Sequence, residues 1–309
     1  MKAYGDILIV AVDAGYGNMK TVNCSFPTGL TICGDKPFFT EDLLIYNGRF
    51  FLIGSGRKEF TGQKVVDEDY YVLTLAAIAK EMSTQRLTAA KVLLAVGLPL
   101  TWFVKQQAAY REYMLRNRTL SLNFKGNDYQ IEIADVMVFP QGYAAIAERI
   151  NEFRDVNICA DIGNGTVNLF RVVDRRPEMR SMTTEACGVK DCAVAMRLAL
   201  ANQYDGAKVD DSVIERIIRS GTARIDRGYL DTLTAAAREY TESLFRRFRE
   251  YGYDEKTTRL FIMGGGSCLV RNFGDYDPES VTINADIHAN ARGYELLAYD
   301  RLKKGGGRQ

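Results

Sequence analysis

Two acids in this chain stand where burial penalises an acid, at the end of an apolar run and directly before a glycine turn. Asp13 follows "ILIVAV" and opens "DAGYGNMK"; Asp161 follows "NICA" and opens "DIGNGTVN". Both read Asp-x-Gly-x-Gly, and the acids lie 161 − 13 = 148 positions apart, close to half of 309 residues. Glycines at alternate positions let backbone N–H groups point at an anion with no Cβ in the way. A carboxylate beside them cannot hold phosphate, but it can hold Mg²⁺, usually through water, and the metal bridges to phosphate oxygens. The pair therefore points to a polyphosphate clamped by two turns. In the first turn Lys20 could add positive charge and Asn18 an outer-shell contact. Either turn alone reads equally as a tight hairpin whose acid caps local N–H groups; the repetition favours a nucleotide.

Two further stretches fit. "FIMGGG", with Gly264, Gly265 and Gly266, permits close backbone approach to a base or ribose, although a plain turn after a core strand would look the same. "VFPQGYAA" places Gln141 between a strand and a helix. An amide there can orient an attacking water, as in many NTPases; the alternative is an ordinary polar residue at a helix start. A dinucleotide site is disfavoured, because "GYGNMK" lacks the third glycine of GxGxxG, its acid comes first, and a strand-like segment follows. No GxxxxGK[ST] occurs.

The elements that position these residues repeat. Residues 6–12 read as a buried strand, and "MKTVNCSF" as a second strand after the turn. "YNGRF" carries the hairpin signal Asn47-Gly48. Asp69 to Met82 is helical, "KVLLAVGLPL" a buried strand, and "FVKQQAAYREYMLRN" an amphipathic helix. "SLNFKGNDYQIEIADVMVF" gives strands turning at Gly126-Asn127-Asp128, and "QGYAAIAERINEF" a helix. "NICADIGNGTVNLFRVV" then repeats the opening strand, turn and strand. A helix follows near 188–204, then a charged helical region from Asp210 to about Tyr251, broken near Gly221 and Gly228. The expected fold class is α/β: two related domains, each a mixed sheet flanked by helices, with a nucleotide cleft between them. The expected boundaries are 1–156, with a small β-rich subdomain at about 30–68, and 157–309, with a helical subdomain at about 200–256 and a final helix packing back on the first domain.

The composition is that of a globular chain, 47% hydrophobic and 26% charged, with net charge +1, which disfavours a strong nucleic-acid binder. His288 is the only histidine, so triads or metal sites built on several histidines are excluded. Six cysteines form no CxxC pair, and no signal peptide or membrane-length apolar run is seen, so the expected setting is the reducing cytoplasm, with no membrane partner.

Over essentially its whole length the chain resembles the actin superfamily. "VDAGYGNMK" looks like that family's first phosphate loop, "VFPQGYAA" its first connecting segment, "ADIGNGTVNLF" its second phosphate loop, "FIMGGG" its adenosine segment and "ANARGYE" its second connecting segment. Within it, "DAGYGNMK" and "GLPLTW" most resemble the bacterial actin-like proteins of plasmid segregation, the ParM group. The resemblance implies ATP or GTP with Mg²⁺ as cofactors. Asp13 would hold the metal's water shell, and Asp161 would contact metal or activate water. Gln141 would position that water. Gly15, Tyr16, Gly17, Asn18 and Lys20 would contact phosphate from one side and Gly163, Asn164, Gly165 and Thr166 from the other; Gly264, Gly265 and Gly266 would contact the nucleoside. Tyr16 departs from the pattern, since a small hydroxyl residue is common there, which puts a side-chain phosphate contact in doubt.

The function so implied is a cytoplasmic ATPase whose filament segregates plasmid DNA through a ParR-like DNA-binding adaptor, the DNA being touched only indirectly. The basic cluster Arg246, Arg247 and Arg249 could serve such contacts, though a solvated helix face explains it as well. Alternatives are another bacterial cytoskeletal actin, a non-hydrolysing nucleotide-binding scaffold, or a small-molecule kinase of the same superfamily, which would need a base such as Asp174, Glu185 or Asp191.

Overall fold

The run ending in Asp13 is apolar on both faces because it has a neighbour on each side in the sheet and a layer above and below. In a computed structural model, which describes residues 1–38, 40–56 and 67–306, the chain forms two units: Met1–Glu148 with His288–Gln309, and Arg149–Ile287.

The first unit contains β1 (Ala3–Tyr4), β2 (Ile7–Ala14), β3 (Asn18–Lys20), β4 (Ser25–Pro27), β5 (Leu30–Cys33), β6 (Leu43–Tyr46) and β7 (Arg49–Ile53). It continues with α1 (Glu68–Thr84), β8 (Ala89–Leu98), α2 (Leu100–Leu115), β9 (Thr119–Phe124), β10 (Asn127–Pro140) and the short α3 (Tyr143–Ile146). The strands form one mixed sheet in the order β4-β3-β2-β8-β10-β9-β6-β7-β5, with β1 added beside β2. β2, β8 and β10 run parallel at its centre. Residues 57–66 of the expected β-rich segment lie outside the described residues.

Helix α1 is buried on nearly every side from Tyr70 to Met82, as its continuous apolar run demands. The sheet curls over it: the Lys80 ammonium lies 5.1 Å from the ring centre of Phe26 on β4 and 5.1 Å from that of Phe124 on β9, strands well separated in the sheet order. Asp67 caps α1, its side chain accepting from the N–H groups of Asp69 and Tyr70.

The second unit contains β11 (Val156–Ile162), β12 (Val167–Val173), β13 (Arg176–Pro177), β14 (Thr183–Glu185), α4 (Val189–Gln203), α5 (Asp211–Ser220), α6 (Arg227–Glu250), β15 (Arg259–Met263), α7 (Ser267–Phe273) and β16 (Val281–Ile283). Its sheet runs β13-β12-β11-β15-β16, with β14 also on β12. The last helix, α8 (Ala289–Gly306), belongs to the first unit and packs on β2 and β8.

The Asn47-Gly48 hairpin forms as expected, both residues at positive φ (49° and 71°). Other local expectations are corrected. "MKTVNCSF" is two short strands, because Thr21–Cys24 makes a turn closed by a 2.8 Å Thr21 N–H to Cys24 carbonyl bond. The buried Glu81 carboxylate holds that turn, accepting from the Thr21 hydroxyl and from Asn23. The β9–β10 turn falls on Lys125-Gly126, which carry the positive φ, while Asn127 and Asp128 already pair. The stretch after Gln141 is α3 followed by a 3-10 segment, Ala147–Glu152. Gly221 ends α5 in the left-handed conformation, whereas Gly228 lies inside α6.

Candidate functional site

The two acid-bearing strands have the same local topology. Each pairs antiparallel with the strand after its glycine turn, and parallel with a later strand on its other side: β2 with β3 and β8, β11 with β12 and β15. The register is also the same. Ala14 pairs Met19 and Ile162 pairs Val167, so each turn has four residues, 15–18 and 163–166. The acid sits one position before the strand end in both, paired with Lys20 in one and with Asn168 in the other.

In the first unit Asp13 is 3% exposed. Its Oδ1 accepts from Gln141 Nε2 at 2.9 Å, and its Oδ2 lies 3.4 Å from Lys20 Nζ. A buried carboxylate is tolerable only with such partners. Gln141 reaches it because β10 ends beside β8; its N–H donates to the Leu98 carbonyl at 2.9 Å. The following Gly142, at φ 78°, donates its N–H to Asn290 Oδ1 at 2.8 Å. The two expected connecting segments thus pack on each other, closely enough that a Cβ on Gly293 would meet the Ala144 carbonyl at 1.8 Å.

The first turn is anchored through its carbonyls. Thr28 donates its hydroxyl to Gly15 O at 2.7 Å and its N–H to Gly17 O at 3.0 Å. A planar trans peptide points its C=O and the next N–H in opposite directions. The N–H groups of Tyr16 and Asn18 therefore face away from Thr28. A Cβ on Gly15 would stand 2.7 Å from Asn18 O, so this position excludes a side chain. The Tyr16 ring packs on the core, edge-on to Tyr70 at 6.5 Å, and burial raises its phenol pKa. Any phosphate contact by Tyr16 falls to its backbone.

The second turn repeats this with a different anchor. Asp161 is 6% exposed. Gly163 and Asn164 turn their carbonyls to the start of α4, accepting from Val189 N–H at 3.1 Å and Lys190 N–H at 2.9 Å. By the same planarity the Asn164 and Gly165 N–H groups face away from α4. Thr166 follows and is buried. Gly264, at φ 84°, lies so close that a Cβ there would meet Asp161 Oδ1 at 2.3 Å. Gly266 donates its N–H to Ile162 O at 2.8 Å, and a Cβ there would meet Ile162 Cγ2 at 2.4 Å. A Cβ on Gly265 would meet nothing within 4 Å. Of the three glycines, Gly264 and Gly266 are required by packing, and Gly265 is the one with open space beside it.

Sequence reasoning missed three residues. Thr28 gives no local signal. Asn168 could have been found by offset, since 168 − 161 = 7 matches 20 − 13 = 7. Gly188 is needed because a Cβ would meet Asn164 O at 2.4 Å; it precedes α4 in "ACGVKD", a recognisable helix entry. The acids offered as kinase bases have structural partners: Asp174 accepts from the Asp155 N–H, Asp191 from the Gly188 N–H, and Glu185 pairs with Arg247. Arg246, Arg247 and Arg249 lie exposed on α6.

Residues 11–143 match the family model of the actin-like proteins' N-terminal domain. No curated protein matches the chain in sequence. Among solved structures, an archaeal actin homologue is similar over 95% of this chain and 99% of its own, at 18% identity and TM-score 0.77. The same homologue in complex with ADP gives 19% identity, the same coverage and TM-score 0.70. ParM in a 15-stranded filament from Clostridium botulinum gives 20% identity and TM-score 0.75, over 94% of this chain and 99% of its own.

Proposed function

We propose, from the actin-like fold that this chain carries, that it is a nucleotide hydrolase whose nucleotide cycle drives filament assembly. The observation that carries the reading is the repeated hairpin: one topology, one register, one acid position and turn N–H groups facing away from the anchoring element, present once in each unit. A structural neighbour complexed with ADP and another forming a filament support it.

In this reading the backbone N–H groups of residues 15–18 and 163–166 hold phosphate oxygens, and Lys20 adds charge. Among the described residues no group of three or more His, Cys, Asp and Glu side chains is assembled to hold a metal. The donor set suits outer-shell contacts, with Asp13 and Asp161 accepting from water on a magnesium ion that neutralises phosphate charge. Gln141 donates its Nε2 hydrogen to Asp13, and its carbonyl oxygen orients the attacking water. Asp161 takes up the water's proton as it attacks. Gly265 admits the nucleoside beside its open face. Head-to-tail contacts that do not close a ring produce filaments. The cargo is plasmid DNA, joined through a DNA-binding adaptor, since a chain of net charge +1 lacks the basic surface for strong direct binding.

Electron microscopy of the purified protein with Mg-ATP or Mg-GTP, alongside phosphate release, tests the reading. Filaments and phosphate are expected. A protein that stays monomeric with ATP, GTP and non-hydrolysable analogues across salt conditions would refute assembly, and phosphate transferred to a small molecule would move the chain to the kinases. Asp161→Ala should lower phosphate release by about 100-fold or more, the scale expected for a group acting in the transition state.

A further inference from the structure

Helix α6 reaches the second glycine turn through a single peptide group. Val189, the first residue of α4, donates its N–H to the Gly163 carbonyl at 3.1 Å. The carbonyl of that same peptide belongs to Gly188 and points the opposite way. It accepts twice, from the Asp191 N–H at 3.1 Å within α4's own first turn and from the Tyr240 hydroxyl at 2.9 Å. Tyr240 lies on α6, 52 positions from Gly188 in sequence. One peptide plane thus carries the turn's anchor at one edge and a side chain of a distant helix at the other.

Tyr240 is held firmly enough to set that plane. Its ring packs against two core clusters of the second unit, one on the sheet with Ile158, Ile162 and Leu260, the other among the helices with Cys192, Ile217 and Leu233. Further along the same side of α6, Arg247 pairs with Glu185, and Tyr251 at the helix end donates its hydroxyl to the Ser181 carbonyl. The helix therefore grips the segment 181–188, which leads into α4, at both ends and between. Of these contacts, only that of Tyr240 falls on the peptide that anchors the turn.

We propose that Tyr240 is a positioning residue for the second glycine turn. Its hydroxyl fixes the tilt of the Gly188–Val189 peptide, and the N–H of that peptide fixes the Gly163 carbonyl. A trans peptide is rigid, so a rotation at one edge passes to the other. Gly188 lies against the turn, where a Cβ would meet Asn164 O at 2.4 Å, so a shift of the peptide displaces the turn as well. With the carbonyl side fixed, the Asn164 and Gly165 N–H groups keep their direction. That these groups meet phosphate rests on the function proposed above; the hydrogen-bonded route from Tyr240 to Gly163 does not.

The test compares Tyr240→Phe, which keeps the ring and its packing, with Tyr251→Phe, which removes the hydroxyl contact to Ser181 and leaves the Gly188 peptide alone. Hydrogen exchange on the nucleotide-free full chain reads the link directly. Tyr240→Phe should speed exchange of the Val189 amide about three- to tenfold, the scale of one lost hydrogen bond, and Tyr251→Phe should not change it. No change in Tyr240→Phe, or an equal change in both variants, overturns the proposal, since loosening of α6 as a whole would act on the two alike. Titrations with Mg-ATP and Mg-GTP give a second readout. Affinity should fall about three- to tenfold for Tyr240→Phe and stay within about twofold for Tyr251→Phe; unchanged affinity in Tyr240→Phe would end the positioning role. The wild-type chain supplies a check that needs no variant. Its Val189 and Lys190 amides should exchange at least about tenfold more slowly than those of Asn164 and Gly165, which face away from α4, and equal rates would overturn the anchoring. Wild-type protein that binds neither nucleotide would defeat the function proposed above and leave the exchange measurements to judge this link.

Discussion

Gly264 and Gly265 are neighbours with opposite reasons to be glycine. Gly264 combines a φ of 84° with a Cβ position 2.3 Å from Asp161 Oδ1. Alanine there adds backbone strain of about 1–3 kcal/mol and displaces a carboxylate. Gly264→Ala should therefore lower the unfolding midpoint and phosphate release together. Gly265 has no neighbour within 4 Å of an added Cβ. Gly265→Ala should leave the midpoint within about 1 °C, a small surface-type effect, yet weaken nucleotide binding if the nucleoside passes beside it. Calorimetry and a binding titration on the two variants separate folding from recognition. Equal behaviour of the pair would remove the nucleoside role from Gly265. Tyr16 belongs to the same scale: its residue type raised a doubt about phosphate contact, and its ring resolves into core packing on Tyr70.

At the scale of elements, each turn is held by a different device, and each device can be broken separately. The second turn rests on the start of α4, where Gly188 lets the helix approach Asn164. Gly188→Ala should push the turn away and weaken nucleotide binding about tenfold or more, as misplacement by roughly 1 Å does at catalytic sites; an unchanged affinity in a titration would show that α4 does not support the turn. The first unit's sheet is held around α1 partly by charge. Lys80 and Lys125 lie 2.6 Å and 3.2 Å from Asp42. Burial alone would raise the Asp42 carboxyl pKa, but the hydrogen bonds and charges of the two lysines outweigh it and hold it below its usual value. A depressed folded value means stability present above the unfolded value of about 3.9 and lost as the pH falls through the folded value. Asp42→Asn should lower the midpoint slightly near pH 7, since the pair is partly exposed, and the two melting curves should converge at a pH below the depressed folded value. Midpoints that differ equally at both pH values would show that the charge contributes nothing.

For the whole molecule, the prediction is assembly that depends on nucleotide. Pelleting with Mg-ATP should rise steeply above a critical concentration, and removing Mg²⁺ with a chelator should abolish it, because in the proposed reading the metal would neutralise phosphate charge that the carboxylates otherwise repel. Polymer of equal amount with and without nucleotide would break the coupling. Much of this architecture was legible in the residues alone. The repeated Asp-x-Gly-x-Gly, the apolar runs before it and the residues between the repeats determined two mixed-sheet units of actin-like fold, because period, turn chemistry and apolar content act locally along the chain. Asn47-Gly48 was read correctly for the same reason. What the tertiary structure decided is long-range. Gln141 meets Asp13 across 128 residues, Asn290 meets Gly142 across 148, and Glu81 reaches back to break the strand after Lys20. No local pattern carries such partners; they follow from strand order and from the need of each buried polar group for a hydrogen bond.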